Sequence, residues 1–137
     1  MLYFFAILSA IFAALTTILS KVGLKDVDPN LATAIRTIII LIMAWGIVFF
    51  TGQIEGIQNI TKRSLWFLLA SGVTTGLSWI FYFKALSIGD ASKVAPIDKF
   101  SLVITMILAF VFLGEQLNVK TIIAGILITA GTFVLVL

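Results

Sequence analysis

The residues best suited to bind a solute or an ion are charged side chains that lie inside long apolar runs of the sequence. Arg36 stands about one helical turn inside one run, and Asp98 and Lys99 stand about one turn inside another. An unpaired charge at such a depth in a membrane is costly, so we expect Arg36 and Asp98 to face the protein interior, near each other. A guanidinium holds an anionic group with two parallel hydrogen bonds, so Arg36 is predicted to recognise a carboxylate or a similar anion. Lys99 is predicted to adjust the electrostatic field around these two side chains.

Hydroxyl side chains form a second pattern, on the third apolar run. A spacing of three or four residues places them on one helical face, and they are Ser71, Thr75, Ser78 and Tyr82. Such a face either lines a polar cavity or carries hydroxyls that bond back to their own helix. A second face beside it combines a GxxxG pair, which favours close helix packing, with aromatic bulk, and its residues are Gly72, Gly76, Trp79 and Phe83.

Enzymatic chemistry finds little support in the residue types. The chain has no His and no Cys, which excludes a thiolate nucleophile, an imidazole base and an ordinary transition-metal site. Asp98 and Glu115 stand at opposite ends of one predicted helix, about 25 Å apart, too far to act as a carboxylate pair. We therefore predict no catalytic residues, no metal and no cofactor.

Composition decides the class of protein. Of 137 residues, 61% are hydrophobic and 11% are charged, whereas a soluble domain carries about 25% charged residues. The mean hydropathy is +1.22. Although the formal charge is +3, the basic residues lie between or just inside apolar runs, where they anchor at lipid headgroups. The predicted environment is a lipid bilayer, and no nucleic acid is expected as a partner.

Five apolar runs are long enough to cross a bilayer, which takes about 20 helical residues. They cover residues 2–20, 31–50, 65–83, 94–113 and 121–137. Strand alternation is absent, and short connections between long helices favour antiparallel neighbours. The fold class predicted is an all-α integral membrane protein, with five transmembrane helices in a bundle and a single domain over residues 1–137. The first run is expected to be a retained helix, since no Lys or Arg precedes it.

Alternating helix direction brings several charges to one membrane face. They are Lys21, Arg36, Lys84, Asp98 and Lys99. Together these residues form a basic cluster that contains one carboxylate. For Lys21 and Lys84 the alternative to a role in this cluster is that the long side chains extend to the membrane interface, where we call them mouth charges. The loops on the two sides of the membrane contain almost the same number of Lys and Arg residues. The positive-inside rule therefore barely selects an orientation, and we hypothesise that the chain inserts in both orientations.

Pro96 stands near the start of the fourth run. We predict that it lies in the first helical turn, where a missing amide hydrogen costs little. If the helix begins nearer Asp90, Pro96 instead loosens the backbone beside Asp98, an irregularity that transporters place at a substrate path. Gly114 and Glu115 predict a helix end with a carboxylate at the membrane interface.

The order and spacing of several short segments across the chain resemble the EamA family of the drug/metabolite transporter superfamily. The segments are Ser-Lys-Val-Gly-Leu at 20–24, Ala-Ile-Arg at 34–36, Ala-Leu-Ser-Ile-Gly-Asp-Ala at 85–91, Pro-Ile-Asp-Lys-Phe-Ser at 96–101 and Leu-Gly-Glu-Gln-Leu at 113–117. The resemblance covers essentially the whole chain. It implies one five-helix unit, half of a ten-helix inverted-repeat transporter in a bacterial inner membrane.

The resemblance further implies a function. The expectation is a secondary carrier or exporter of small metabolites, amino acids or drug-like compounds, acting by alternating access as an antiparallel homodimer or as a heterodimer with a similar five-span protein. Asp98, followed by Glu115, would be the best-placed proton carrier. The small multidrug resistance relatives use a glutamate in the first span, which this chain lacks. The alternative is a non-transporting or lipid-carrier-handling subunit that pairs with a second similar protein; an intramembrane enzyme ranks third.

Overall fold

A computed structural model describes all residues, 1–137, and is helical throughout. The helices are α1 (Leu2–Gly23), α2 (Pro29–Phe50), a 3-10 helix (Gln53–Asn59), α3 (Lys62–Ile88), α4 (Ala91–Asp98), α5 (Ser101–Leu108), a π-helical turn (Ala109–Leu113) and α6 (Val119–Val136). Five continuous or nearly continuous stretches are long and apolar enough to cross a membrane, with α4, α5 and the π-helical turn together forming the fourth. The predicted fold class is thereby confirmed.

Local capping explains where the first helices begin. Asp28 precedes α2, and its Oδ1 accepts the backbone N–H groups of Asn30 and Leu31 at 2.9 and 3.3 Å. Pro29 occupies the first helical position, where its missing N–H has no partner to lose. Thr61 Oγ1 accepts the N–H of Ser64 at 3.1 Å at the start of α3. These caps fix the ends of the two helices that carry most of the predicted site.

The third helix is longer than the apolar run that predicted it. It covers 27 residues, Lys62–Ile88, instead of 65–83. Lys84, predicted to lie in the connection after the third span, is therefore in the last turns of α3. Leu86, in the additional C-terminal turn, is 0% exposed, and Phe83, at the end of the predicted run, is 1% exposed.

The prediction that Pro96 lies in the first turn is wrong. The helix begins at Ala91, so Pro96 is an interior residue and the carbonyl of Ser92 loses the amide that would bond to it. The backbone then tightens: the N–H of Phe100 bonds to the carbonyl of Ile97 at 3.0 Å, a three-residue spacing. The α-helix is interrupted at residues 99–100, directly after Asp98.

The end of the fourth span follows the prediction. Gly114 adopts a left-handed conformation, with φ of +67°, and ends the π-helical turn. Glu115 comes directly after it and is exposed. Asn118 then caps α6, since its Oδ1 accepts the N–H of Thr121 at 2.9 Å.

The chain divides into two compact units, here called the first unit (residues 1–88) and the second unit (residues 89–137). In the first unit α1 and α2 both pack against α3, and in the second α4 and α5 pack against α6. The buried side chains of the first unit are Leu24, Thr33, Phe83 and Leu86. Most other apolar side chains are exposed, as expected for helices whose remaining faces meet lipid or other helices.

Candidate functional site

Arg36 is held over two aromatic rings of α3. Its guanidinium carbon lies 5.1 Å from the ring centroid of Trp79 and 4.7 Å from that of Phe83. The two aromatic residues are four apart in α3, so they lie one above the other on a single helical face. Cation–π attraction stabilises such an arrangement and is strongest when the cation is removed from water. Both Arg36 and Trp79 belong to the predicted pathway, but the contact between them was not predicted from the sequence.

The guanidinium of Arg36 has no anionic partner within the first of the two units. The ion pairs of the structure are Lys93–Asp90 and Lys99–Asp98, and no hydrogen bond engages the Arg36 side chain. No hydrogen bond within the first unit uses its N–H groups, so they remain able to donate. Arg36 is therefore oriented by packing and still available to an anion.

A cavity of about 430 Å³ adjoins Arg36 within the first unit. Its wall is formed by α1, α2, the turn between them and one aromatic residue of α3; the lining residues are Thr16, Leu19, Ser20, Gly23, Val27, Ala32, Ile35, Arg36 and Phe83. We call it the arginine cavity. Arg36 is its single charged lining residue.

A second recess, which we call the hydroxyl groove, runs between α2 and α3. Its volume is about 600 Å³, and Trp79 lines it as well as contacting Arg36. The other lining residues are Asn30, Thr33, Ala34, Thr37, Leu68, Ser71, Gly72, Thr75, Gly76 and Ile80. Trp79 thus lines the hydroxyl groove and also contacts Arg36, which lines the arginine cavity.

The predicted hydroxyl face of α3 divides between two surroundings. Ser71 and Thr75 line the hydroxyl groove. Thr75 Oγ1 also donates to the carbonyl of Ser71 at 2.8 Å, so a cavity-lining position and a bond to the same helix coexist here. Tyr82 instead shares a hydrogen bond of 2.7 Å with Thr17 of α1. Ser78 is exposed and lines neither recess.

Lys21 also joins α1 to α3. Its Nζ donates to the backbone carbonyl of Leu86 at 2.7 Å, near the C-terminal end of α3. A cation at that end satisfies a carbonyl that the helix leaves unpaired and complements the helix dipole. Lys84, by contrast, is exposed.

The GxxxG pair lines the groove without a tight contact in the chain. A Cβ atom built on Gly72 or Gly76 meets no heavy atom within 4 Å. The helix-packing role of this pair stays a prediction, and it would need a helix from outside the first unit.

The remaining predicted residues lie in the second unit. Asp98 ends α4, and its Oδ2 accepts a hydrogen bond from Lys99 Nζ at 3.4 Å. Glu115 follows the left-handed Gly114 at the end of the fourth span. The proximity of Asp98 to Arg36 stays a prediction.

Comparison with known proteins defines the family. The model of the EamA-like transporter family matches residues 1–137. An uncharacterized transporter in the cobO 3′ region of a Sinorhizobium species is 46% identical over 132 residues, which cover 96% of this chain and 94% of the relative. The chain belongs to the EamA-like transporter family. No solved structure matches it.

Family membership confirms the predicted resemblance and makes the chain a multi-pass membrane protein of a transporter family. The curated EamA-like relative is itself about as long as one five-span unit, since the match covers 94% of it. Five-span units therefore occur in this family as proteins of their own.

Sequence reasoning missed the contribution of the first two helices to this EamA-like unit. Thr16 and Ser20 line the arginine cavity, and Thr33 and Thr37 line the hydroxyl groove. Each pair has a spacing of four residues, the same signal that identified the face on α3. Thr17 was missed as well, because only the folded chain shows that it meets Tyr82.

Proposed function

We propose that this protein is a secondary transporter of small metabolites, amino acids or drug-like compounds, that it works by alternating access, and that its functional form is a dimer in a bacterial inner membrane. The observation that carries the proposal is Arg36, a charge inside a membrane span that contacts the rings of Trp79 and Phe83, borders a cavity and has no counterion within the first unit. Intramembrane charges of this kind mark solute or ion pathways.

The interrupted fourth span supports an alternating-access mechanism. Transporters place broken helices at substrate and ion sites, where freed backbone groups and helix ends meet the solute. Here the interruption follows Pro96, comes directly after Asp98 and includes Lys99. The proposed pathway comprises Arg36, Ser71, Thr75, Ser78, Trp79, Tyr82, Asp98 and Lys99, with Lys21, Lys84 and Glu115 as mouth charges.

Two further observations support a dimer. A curated relative has about the length of one unit, while transporters of this general design use two units of opposite orientation. Loop charges are nearly balanced, with Lys21, Lys25, Lys84 and Lys93 on one side and Lys62, Arg63 and Lys120 on the other. Such a balance suits an antiparallel homodimer formed by two insertions of one chain. Pairing with a similar five-span protein is the second form of the same proposal.

Transport is tested by solute flux in proteoliposomes, with a panel of labelled amino acids, organic acids and one cationic dye. We expect at least one solute to move faster than in protein-free vesicles, and Arg36→Ala to lower that flux by about tenfold, the loss expected for a charge-assisted hydrogen bond. Arg63→Lys is the control, because it replaces the other guanidinium that contacts a ring, that of Phe67 at 5.9 Å, lines neither recess and keeps the count of Lys and Arg that sets orientation. Flux that survives Arg36→Ala and Asp98→Asn unchanged would remove both residues from the mechanism.

Orientation is tested by cysteine labelling, since the chain has no native cysteine. Asp26 lies in the exposed turn between α1 and α2, and Asn59 ends the exposed 3-10 helix between α2 and α3. Neither Asp26→Cys nor Asn59→Cys changes the count of Lys and Arg that sets orientation. If each site labels with an impermeant maleimide in about half of the molecules of intact cells, both insertions occur and the homodimer stands. Labelling at a single site would favour an oppositely oriented partner protein.

A further inference from the structure

The arginine cavity and the hydroxyl groove together contain one charged side chain, that of Arg36. No Asp or Glu lines either recess of the first unit, and the guanidinium has no ion pair. The formal charge presented to a solute in this unit is therefore +1. A bound molecule with one negative charge would neutralise the site, whereas a molecule with a positive group would leave that group without an acidic partner.

The polar groups that accompany Arg36 in the cavity are hydroxyls. Thr16 and Ser20 stand four residues apart on α1, both are partly buried, and neither side chain forms a hydrogen bond in the structure. Hydroxyls can donate to an anion's oxygen atoms, as can the guanidinium. An ammonium group would find neutral acceptors alone, and a buried charge without an opposite charge is strongly penalised.

The rest of the cavity wall is apolar. Leu19, Val27, Ile35 and Phe83 face the same space as Arg36. The volume of about 430 Å³ falls within the range of about 300–1,000 Å³ that is typical of small-molecule sites. This wall complements an aliphatic or aromatic body and offers few partners to a heavily hydroxylated one.

Resting on the proposed transport function, we infer that the site selects singly charged organic anions with an apolar body, and that it discriminates against zwitterions and cations with the same body. The substrate class is thus an aromatic or aliphatic monocarboxylate. α-Amino acids, part of the broader class proposed above, are excluded by their ammonium group. Arg36 supplies the charge, Thr16 and Ser20 supply neutral donors, and the apolar wall receives the body.

Three probes with one phenylethyl body test this selection: 3-phenylpropionate (anion), phenylalanine (zwitterion) and phenethylamine (cation). Binding is measured by calorimetry near neutral pH on the full chain in phosphatidylcholine nanodiscs. We expect the acid to bind at least about tenfold more tightly than the other two, the difference expected from one charge-assisted contact. Equal affinities, no binding of the acid, or tightest binding of phenylalanine or phenethylamine would each overturn the inference.

Variants assign the selection to the cavity. Arg36→Met should weaken 3-phenylpropionate binding by about 10- to 100-fold, and Arg36→Lys should restore part of it, since the charge returns without the planar donor pair. Arg63→Lys, which changes the guanidinium outside both recesses and keeps the loop charge, should leave binding unchanged. Thr16→Val with Ser20→Ala should weaken the acid several-fold with the charge intact. Wild-type selection among the probes stands as a test even if Arg36→Met does not fold.

The predicted proximity of Asp98 to Arg36 would act against discrimination between anions and zwitterions. If it lies near Arg36, as the sequence predicts, its carboxylate would accept an ammonium group. Phenylalanine binding that matches the acid and is lost in Asp98→Asn would therefore overturn the inference and assign zwitterion recognition to the pair. Unchanged binding of the acid in Asp98→Asn would support it.

An anionic lipid also combines a negative group with an apolar body, so nanodiscs that contain phosphatidylglycerol form a separate arm. Binding of 3-phenylpropionate that persists there supports a soluble anion, whereas its competitive loss identifies a lipid headgroup and overturns the proposed substrate class.

Measurements of solute flux distinguish the proposed transport function from the proposed anion selection. Acid binding without flux of any solute contradicts transport and leaves the selection intact; flux of phenylalanine with no binding of the acid contradicts the selection and leaves transport intact.

Discussion

The two units of this protein solve the problem of polar groups in a membrane in different ways. The first unit has three continuous spans, and its polar side chains reach across helices: Thr17 meets Tyr82, Lys21 meets the Leu86 carbonyl and Arg36 meets two rings. The second unit has an interrupted span, and the hydrogen bonds of its side chains join residues close in sequence, such as Thr129 to Gly125.

This difference between the units means that the first unit holds its polar side chains in fixed orientations, whereas the backbone of the second unit can adjust. A guanidinium keeps its orientation only if the helices on both sides of it keep theirs, which continuous hydrogen-bonded spans provide. A helix interrupted by proline and ended by a π-helical turn has fewer internal bonds to resist bending. Under the proposed transport function, recognition would then fall to the first unit and conformational change to the second.

Loss of the buried aromatic residue should produce the largest effect. Phe83→Ala removes a side chain that is 1% exposed and also one partner of Arg36. We expect the free energy of unfolding to fall by about 3 kcal/mol. Reversible unfolding in bicelles measures this value, with Phe81→Ala, on a side chain that is 69% exposed, as control. Met106→Ala in the second unit removes a side chain that is only partly buried and should cost less; an equal loss of stability would mean that the burial of Phe83 does not set the size of the effect.

Repair of the interrupted span should act in the opposite direction. Pro96→Ala restores the N–H that can bond to the Ser92 carbonyl, so we expect the protein to become more stable by about 1–2 kcal/mol. Solute flux should fall, because the span becomes harder to bend. Thermal unfolding and proteoliposome flux are measured on the same preparation. A variant that gains stability and keeps full flux would show that the interruption is not part of the transport cycle.

The end of the fourth span offers a smaller test of backbone geometry. Gly114→Ala places a Cβ at a φ of +67°, and the strain should lower stability by about 1 kcal/mol. Gly131→Ala is the control, since Gly131 is helical and a Cβ there meets no atom within 4 Å. Equal stability of the two variants would contradict the left-handed conformation at Gly114.

The smallest effect concerns one contact between helices. A double-mutant cycle of Thr17→Val and Tyr82→Phe should give a coupling energy of about 0.6 kcal/mol, the usual value for a hydrogen bond between transmembrane helices. The free energies of unfolding of the four proteins provide it. A coupling of zero would mean that the hydroxyl pair does not hold α1 against α3.

Local patterns predicted more of the fold than of the site. Apolar runs predicted five spans, and Gly114 predicted a helix end, because hydropathy and left-handed glycine positions depend on nearby residues. The start of the fourth helix was placed three residues late, at Val94 instead of Ala91. Ser92 and Lys93 are polar and fall outside an apolar run, although they are helical. That shift turned Pro96 from a first-turn residue into an interior one.

The sequence by itself determined that this protein spans a membrane five times and belongs to a transporter family, because composition and motif order require no knowledge of contacts. It also identified Arg36 as a charge that needs an explanation. Only the tertiary structure decided that the explanation lies in Trp79 and Phe83, with no carboxylate among the contacts of the guanidinium. Those rings are more than forty residues away along the chain, and their distance from Arg36 depends on how α2 packs against α3, which no local pattern encodes.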